Sequence, residues 1–262
     1  MTLDEHMALM RTGAMYNDLA PELVRAREAA VVLSNRYNAS FGRPAPEREA
    51  ILRTLLGSVG QHVHFEPTLR CEFGRNISIG NNFYANFDCI LLDDAPITIG
   101  DNVLFGPRVG LYSANHALDA VERAAGGCYA RPICIGNGAW PGAGVHITPG
   151  VSIGAGSIVG AGSVVTRSVP AGVVAAGVPC RVIRALTPAD RTGFAPKGGG
   201  CVGSGCCWPA LRHKRGAGKP PTLPASTLRK DLFQGHHVAQ SPPPRPSRPP
   251  PSRRAAREAC LR

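Results

Sequence analysis

Lysine is missing from the first 186 of the 262 residues, and aromatic side chains make up only 6% of the chain. Over that stretch 15 Arg balance 15 Asp plus Glu, so the whole net charge of +11 falls in residues 187–262. An electrostatic footprint for nucleic acid is thereby excluded for the body and left open only for the tail. No apolar run approaches the roughly 18–20 residues that cross a bilayer. No secretory core follows Met1 either, since Asp4 and Glu5 interrupt the first residues. The nine Cys lack paired metal-ligand spacing: Cys201, Cys206 and Cys207 have no matching second pair. These absences read as a cytoplasmic protein with reduced thiols, no membrane partner and no metal.

Glycine, by contrast, is plentiful at 31 residues. Many glycines and few rings suit a fold with frequent turns and a narrow interior. The first 57 residues read as a helical cap. Asp18 to Glu22 gives a start signal with Pro21 in the first turn. Leu23, Ala26, Ala30, Leu33 and Tyr37 then fall on one helical stripe. A second helix is predicted from Pro46 to Leu56, carrying Ile51, Leu52, Leu55 and Leu56 and ending at Gly57.

From residue 58 to 186 the period changes to six. An aliphatic or aromatic residue recurs at Ile99, Phe105, Leu111, Ile135, Ile147, Ile153, Val159 and Val165. Gly often follows it, as at Gly100, Gly136 and Gly154, and four residues on comes a small or β-branched side chain such as Val103, Ala139 or Ser157. A period of six fits neither a 3.6-residue helix nor an alternating strand. It fits a coil with three short faces, each hexapeptide supplying one strand and one turn. The fold class is therefore mainly β: a left-handed parallel β-helix with an N-terminal helical cap. Two interruptions stand out. Leu91 to Ile99 is eight residues, which predicts that Asp93 and Asp94 bulge outward at a corner. Residues 117–132 leave the coil as a loop, long enough to suggest function, with Asn115 before it in an inward position.

Residues 187–262 lose every pattern and hold 13 of the 24 Pro and all four Lys. Low hydrophobicity with high positive charge predicts a disordered tail. It reads either as a basic interaction segment or as sequence from a misread gene end.

His116 stands where the coil gives way to the loop, a place where one ring nitrogen can be held while the other faces a cleft, as a general base requires. A corner His with a satisfied hydrogen bond is the plain alternative. The strings around it carry more information. Asn82 to Phe87, Leu92-Asp93-Asp94, Asn115 to Asp119, Gly160 to Thr166 and Gly177 to Arg184 resemble the maltose, galactoside and nodulation acetyltransferases, over about Met15 to Leu186. That resemblance implies an O-acetyltransferase in which His116 takes the proton from an acceptor hydroxyl. It implies Asp18, Glu72, Asn86 and Asp94 as contacts to a saccharide-like acceptor. It also implies a coenzyme A groove formed by Trp140, Ala161, Thr166, Arg181 and Arg184, with acetyl-CoA as donor, and a homotrimer with sites between subunits.

Three residues depart from the family pattern. Pro141 occupies an inward repeat position and cannot donate to the ladder. Ala143 stands where the galactoside enzymes carry a hydroxyl near the thioester, and Ala117 where Pro usually follows the His. Other readings remain open: a non-sugar acceptor such as an antibiotic hydroxyl or serine, or a non-catalytic trimeric scaffold. A metal-dependent hydratase on the same coil would need three converging histidines. Of His6, His62, His64 and His146, only His146 lies on a regular coil.

Overall fold

A computed structural model describes residues 1–194 of the protein. Its helices are α1 (Leu3–Arg11), α2 (Pro21–Ala39), α3 (Ala45–Leu55) and the short α4 (Ala120–Ala124). Thr2 and Glu5 close a capping box on α1, a Thr-x-x-Glu signal present in the sequence. Ala20 caps α2 without a side-chain bond, so Asp18 is not the cap; it pairs instead with Arg27. The predicted stripe on α2 does face inward, with Leu23, Ala30 and Tyr37 buried. No described helix is long and apolar enough to cross a membrane.

From Ser58 the chain winds a β-solenoid of about six turns. Three faces recur in the order I, II, III. Face I stacks Ser58–Val59, Ile77–Ile79, Ile97–Ile99, Ile133–Ile135 and Ser152–Ile153. Face II runs through His64–Phe65, Tyr84–Ala85, Leu104–Phe105, Trp140–Pro141, Ile158–Val159 and Val173–Gly177, with Cys180–Ala185 antiparallel at its edge. Face III runs through Leu69–Cys71, Cys89–Leu92, Gly110–Tyr112, His146–Ile147 and Val164–Val165.

Every member of the period-six set from Ile99 to Val165 is buried, and so is the residue four positions on, except Asn115 after Leu111. These residues form one continuous core from the cap to the last coil. Where Gly follows the inward residue it keeps negative φ, and its value lies in close approach. At Gly136 a Cβ would stand 2.6 Å from the Ala155 backbone N of the next coil. The left-handed corner comes two residues later, at Asn102 (φ 57°) and Gly138 (φ 66°), residue types that tolerate it. Pro141 is buried as an ordinary inward residue. Leu104 N–H donates to Ala139 O and Gly106 N–H to Pro141 O, so only the rung needing an N–H at 141 is lost.

Several expectations are corrected. Asp93 and Asp94 do not bulge outward; both are buried. Residues 117–132 are no plain loop. Ala114–His116 and Gly127–Ala130 pair antiparallel as a hairpin, with α4 between them capped by Asp119. Asn115 lies on that hairpin and is exposed rather than inward. The tail was expected to lose structure from 187, yet Pro188–Asp190 form a 3-10 turn that holds Arg184. Residues 195–262, the rest of the predicted tail, lie outside the described residues.

Candidate active site

The hairpin leaves the solenoid between faces III and I, and Tyr16–Asn17, just after α1, adds a third strand to it. Cys128 pairs with His116 on one side and with Tyr16 on the other. Directly opposed residues share a face of an antiparallel sheet, so Tyr16, Cys128 and His116 form one row. Tyr16 and Cys128 are buried, whereas His116 is exposed at the end of the row. Its imidazole makes no hydrogen bond or ion pair with the described residues.

Beneath this row three carboxylates converge. Tyr16 OH donates to Asp94 Oδ1 at 2.7 Å. Arg27, on α2, forms ion pairs with Asp18 and with Glu72, and its guanidinium lies over the Phe73 ring. Burial raises the Glu72 carboxyl above its ordinary range, the Asp94 charge adds to this, and Arg27 holds it back. Burial likewise raises Asp94, against the Tyr16 hydrogen bond. The structure thus gathers three expected acceptor contacts, Asp18, Glu72 and Asp94, around Arg27 and the Tyr16 hydroxyl.

Asp93 has a different task. Its Oδ1 accepts N–H bonds from Glu72, Phe73 and Gly74, and its Oδ2 accepts from Asn76. It fixes the corner that carries Glu72, and burial pushes its carboxyl up to about 6.

Sequence reasoning did not identify Tyr16, Arg27 or Cys128 as members of this site. Tyr16 and Arg27 lie outside the six-residue period, and Cys128 lies 12 residues beyond His116, opposite it only through the hairpin. Ligand atoms of Asp18, Asp94 and Cys128 fall within 4.8 Å of one another. Arg27 and the Tyr16 hydroxyl already serve those carboxylates, and burial raises the Cys128 thiol. The trio is therefore suited to donor hydroxyls more than to a cation.

The remaining expected residues lie elsewhere. Asn86 sits at the corner between faces II and III, its Oδ1 accepting from Phe87 N–H. Gly106, Gly142 and Ala161 stack along that same corner through successive coils. Beside them Phe87, Arg108 and Ala143 line a cleft of about 410 Å³. On face II an outward row runs Trp140, Ile158, Val174, Arg184 in register. Trp140 is 49% exposed, while Arg184 is held by a two-pronged pair with Asp190 at 2.9 and 2.7 Å. Arg181 is exposed, with Nη1 on the Cys180 carbonyl. Thr166 is exposed at the other end of face III, the end from which the hairpin departs. Within the chain, His116 stands at one edge of face III, and Asn86 and Ala161 at the opposite edge.

Residues 9–60 match the maltose acetyltransferase hexapeptide capping motif, and residues 135–167 match the bacterial transferase hexapeptide of six repeats. The chain is 46% identical to nodulation protein L of Rhizobium meliloti over 66% of its own length and 94% of that protein's. Its fold is similar to a crystal structure of a maltose O-acetyltransferase from Clostridium difficile 630. That match has a TM-score of 0.68 and 44% identity, and covers 71% of this chain and 98% of that one. It is similar as well to a galactoside acetyltransferase in complex with coenzyme A, at TM-score 0.68 and 40% identity, covering 73% of this chain and 96% of that one.

Proposed function

The chain belongs to the hexapeptide-repeat acetyltransferase family of the maltose, galactoside and nodulation enzymes, and from that membership we propose that it moves an acetyl group from acetyl-CoA to a hydroxyl of a saccharide-like acceptor with His116 as the base. The observation that carries this reading is an exposed imidazole, unengaged among the described residues, in one row with Cys128 and with Tyr16, whose hydroxyl donates to the buried Asp94 carboxylate. Asp18, Glu72 and Asp94 supply carboxylate oxygens as acceptors for the hydroxyls of a polyol. His116 takes the proton of one hydroxyl as its oxygen attacks the thioester carbon. The imidazolium then returns that proton to the departing sulfur, leaving an acetyl ester and free coenzyme A. Direct transfer is favoured over a Cys128 acyl-enzyme, because burial raises that thiol and the Asp94 and Asp18 charges oppose its ionisation further.

The division of the site between two edges of face III supports a homotrimer. With face III turned toward a three-fold axis, one protomer's His116 edge meets its neighbour's Asn86 and Ala161 edge. The donor would then lie in the groove between subunits, with Arg181, exposed and in no ion pair among the described residues, as a cation for its phosphates.

The test is purified protein with acetyl-CoA and a panel of sugars and non-sugar hydroxyl compounds, following thiol release. His116→Ala is expected to lower kcat by about 10²–10⁴-fold with the fold intact. Unchanged turnover in that variant removes His116 as base. Intact trimers that turn over no hydroxyl acceptor favour the non-catalytic scaffold.

A further inference from the structure

His146 and Tyr112 form a pair on the outer surface of face III that the proposed chemistry does not use. The Tyr112 hydroxyl lies 3.0 Å from His146 Nδ1, and the two rings tilt together with centroids 5.7 Å apart. This contact depends on Gly110. Gly110 is in register with His146 on the neighbouring coil, and a Cβ there would run into the Tyr112 ring. With no side chain at 110, the Tyr112 ring folds back across the strand and pins the imidazole of the next turn. His146 is exposed, and its Nε2 has no hydrogen-bond partner among the described residues.

The three faces differ in what they show outward. Face I presents a register of Ser58, Ser78, Thr98, Cys134 and Ser152, small polar groups suited to water. Face III presents half-buried Ile90, Leu92 and Val164 around the Tyr112–His146 pair. It also bears the two separated halves of the site on its edges. Given the trimer proposed above, on which this inference rests, face III looks toward the axis and three His146 side chains approach it at one level.

The geometry points to a divalent transition-metal site on the three-fold axis, with one His146 Nε2 from each subunit as ligand. Three imidazoles suit zinc, nickel or cobalt(II). A ligating His commonly donates its other ring N–H to a nearby acceptor, which fixes tautomer and ring orientation. Tyr112 oxygen fills that place, with the proton on Nδ1. The ion would clamp the assembly without entering the acetyl transfer.

The experiment uses the full chain, stripped with a chelator and titrated with cobalt(II). The tail carries other ligand types at Cys201, Cys206, Cys207, His213, His236 and His237, so the spectrum matters as well as the count. The expected result is one cobalt per trimer, counted by native mass spectrometry, with ligand-field bands of nitrogen ligation and no thiolate charge transfer. His146→Ala should abolish that ion, and Tyr112→Phe should weaken its affinity by about 10–100-fold, both remaining trimeric by sedimentation. A trimer whose cobalt binding is the same with and without His146 overturns the site. A wild-type protein that sediments as a monomer with or without metal overturns the trimer reading, and the axial site with it.

Discussion

The hydroxyl of Tyr16 donates to the buried carboxylate of Asp94, tying the strand after the first helix to the corner of a coil 78 residues later. Cap and solenoid therefore meet at the proposed acceptor site. Tyr16→Phe leaves Asp94 buried with one donor fewer. A hydrogen bond to a charged group contributes about 1.5–3 kcal/mol, so a stability loss of that order is expected in urea unfolding. KM for the acceptor should rise more than kcat falls, since the ring does not reach the reacting atoms. A Phe variant with unaltered stability and KM would show that the bond contributes nothing.

Asp93 tests the skeleton beneath the site. Its two oxygens serve four backbone N–H groups. Asp93→Ala orphans them all, and at about 1–3 kcal/mol for each buried donor the loss should be no less than about 4 kcal/mol. Chemical denaturation measures it. A loss below about 1 kcal/mol would mean that water replaces the carboxylate freely.

Arg27 should influence the acid limb of the pH profile through Glu72. Glu72 is raised by burial first and by Asp94 second, and Arg27 opposes both. Arg27→Gln removes the opposing charge, so Glu72 protonates at higher pH. The acid limb of kcat/KM is expected to move upward, with activity near pH 8 least affected. A limb that stays in place would dissociate Glu72 from acceptor binding.

His64 gives a stability prediction with a definite sign. Burial lowers its pKa and the neighbouring Arg48 lowers it further, against the pull of Glu66. A His depressed in the folded state contributes stability that is complete above its unfolded pKa and declines as pH falls through it. Unfolding free energy should drop between about pH 7 and 5, around the ordinary His value near 6.5. His64→Gln should flatten that drop; an equal slope in wild type and variant would count against the assignment.

Complementation tests the division of the site. His116→Ala and Asn86→Ala homotrimers should each be impaired. If neighbouring subunits supply the two residues across a head-to-tail interface, random mixed trimers restore about a quarter of the sites. Activity of refolded mixtures at the mean of the two parents would place both residues in one protomer.

The buried ladder from Ile99 to Val165 was legible in the sequence because every coil meets the same demand. Each turn must fill a narrow interior and let the next backbone approach, so the requirement is written again every six residues. His116 stood out as a candidate because it stands where that repetition stops. The outward bulge predicted for Asp93 and Asp94 was wrong for a related reason. An irregular spacing tells that the coil is interrupted, but not to which side the extra residues turn. Burial with four N–H donors in reach decided that for Asp93.

What the sequence determined by itself was the scaffold and its family. Only the tertiary structure decided that Tyr16, Cys128 and His116 share a row, that Arg27 joins Asp18 to Glu72, and that Tyr112 folds over Gly110 onto His146. The physical reason is range. The repeat is enforced between adjacent coils and recurs in the chain, whereas these contacts join excursions and cap segments that occur once and carry no periodic trace.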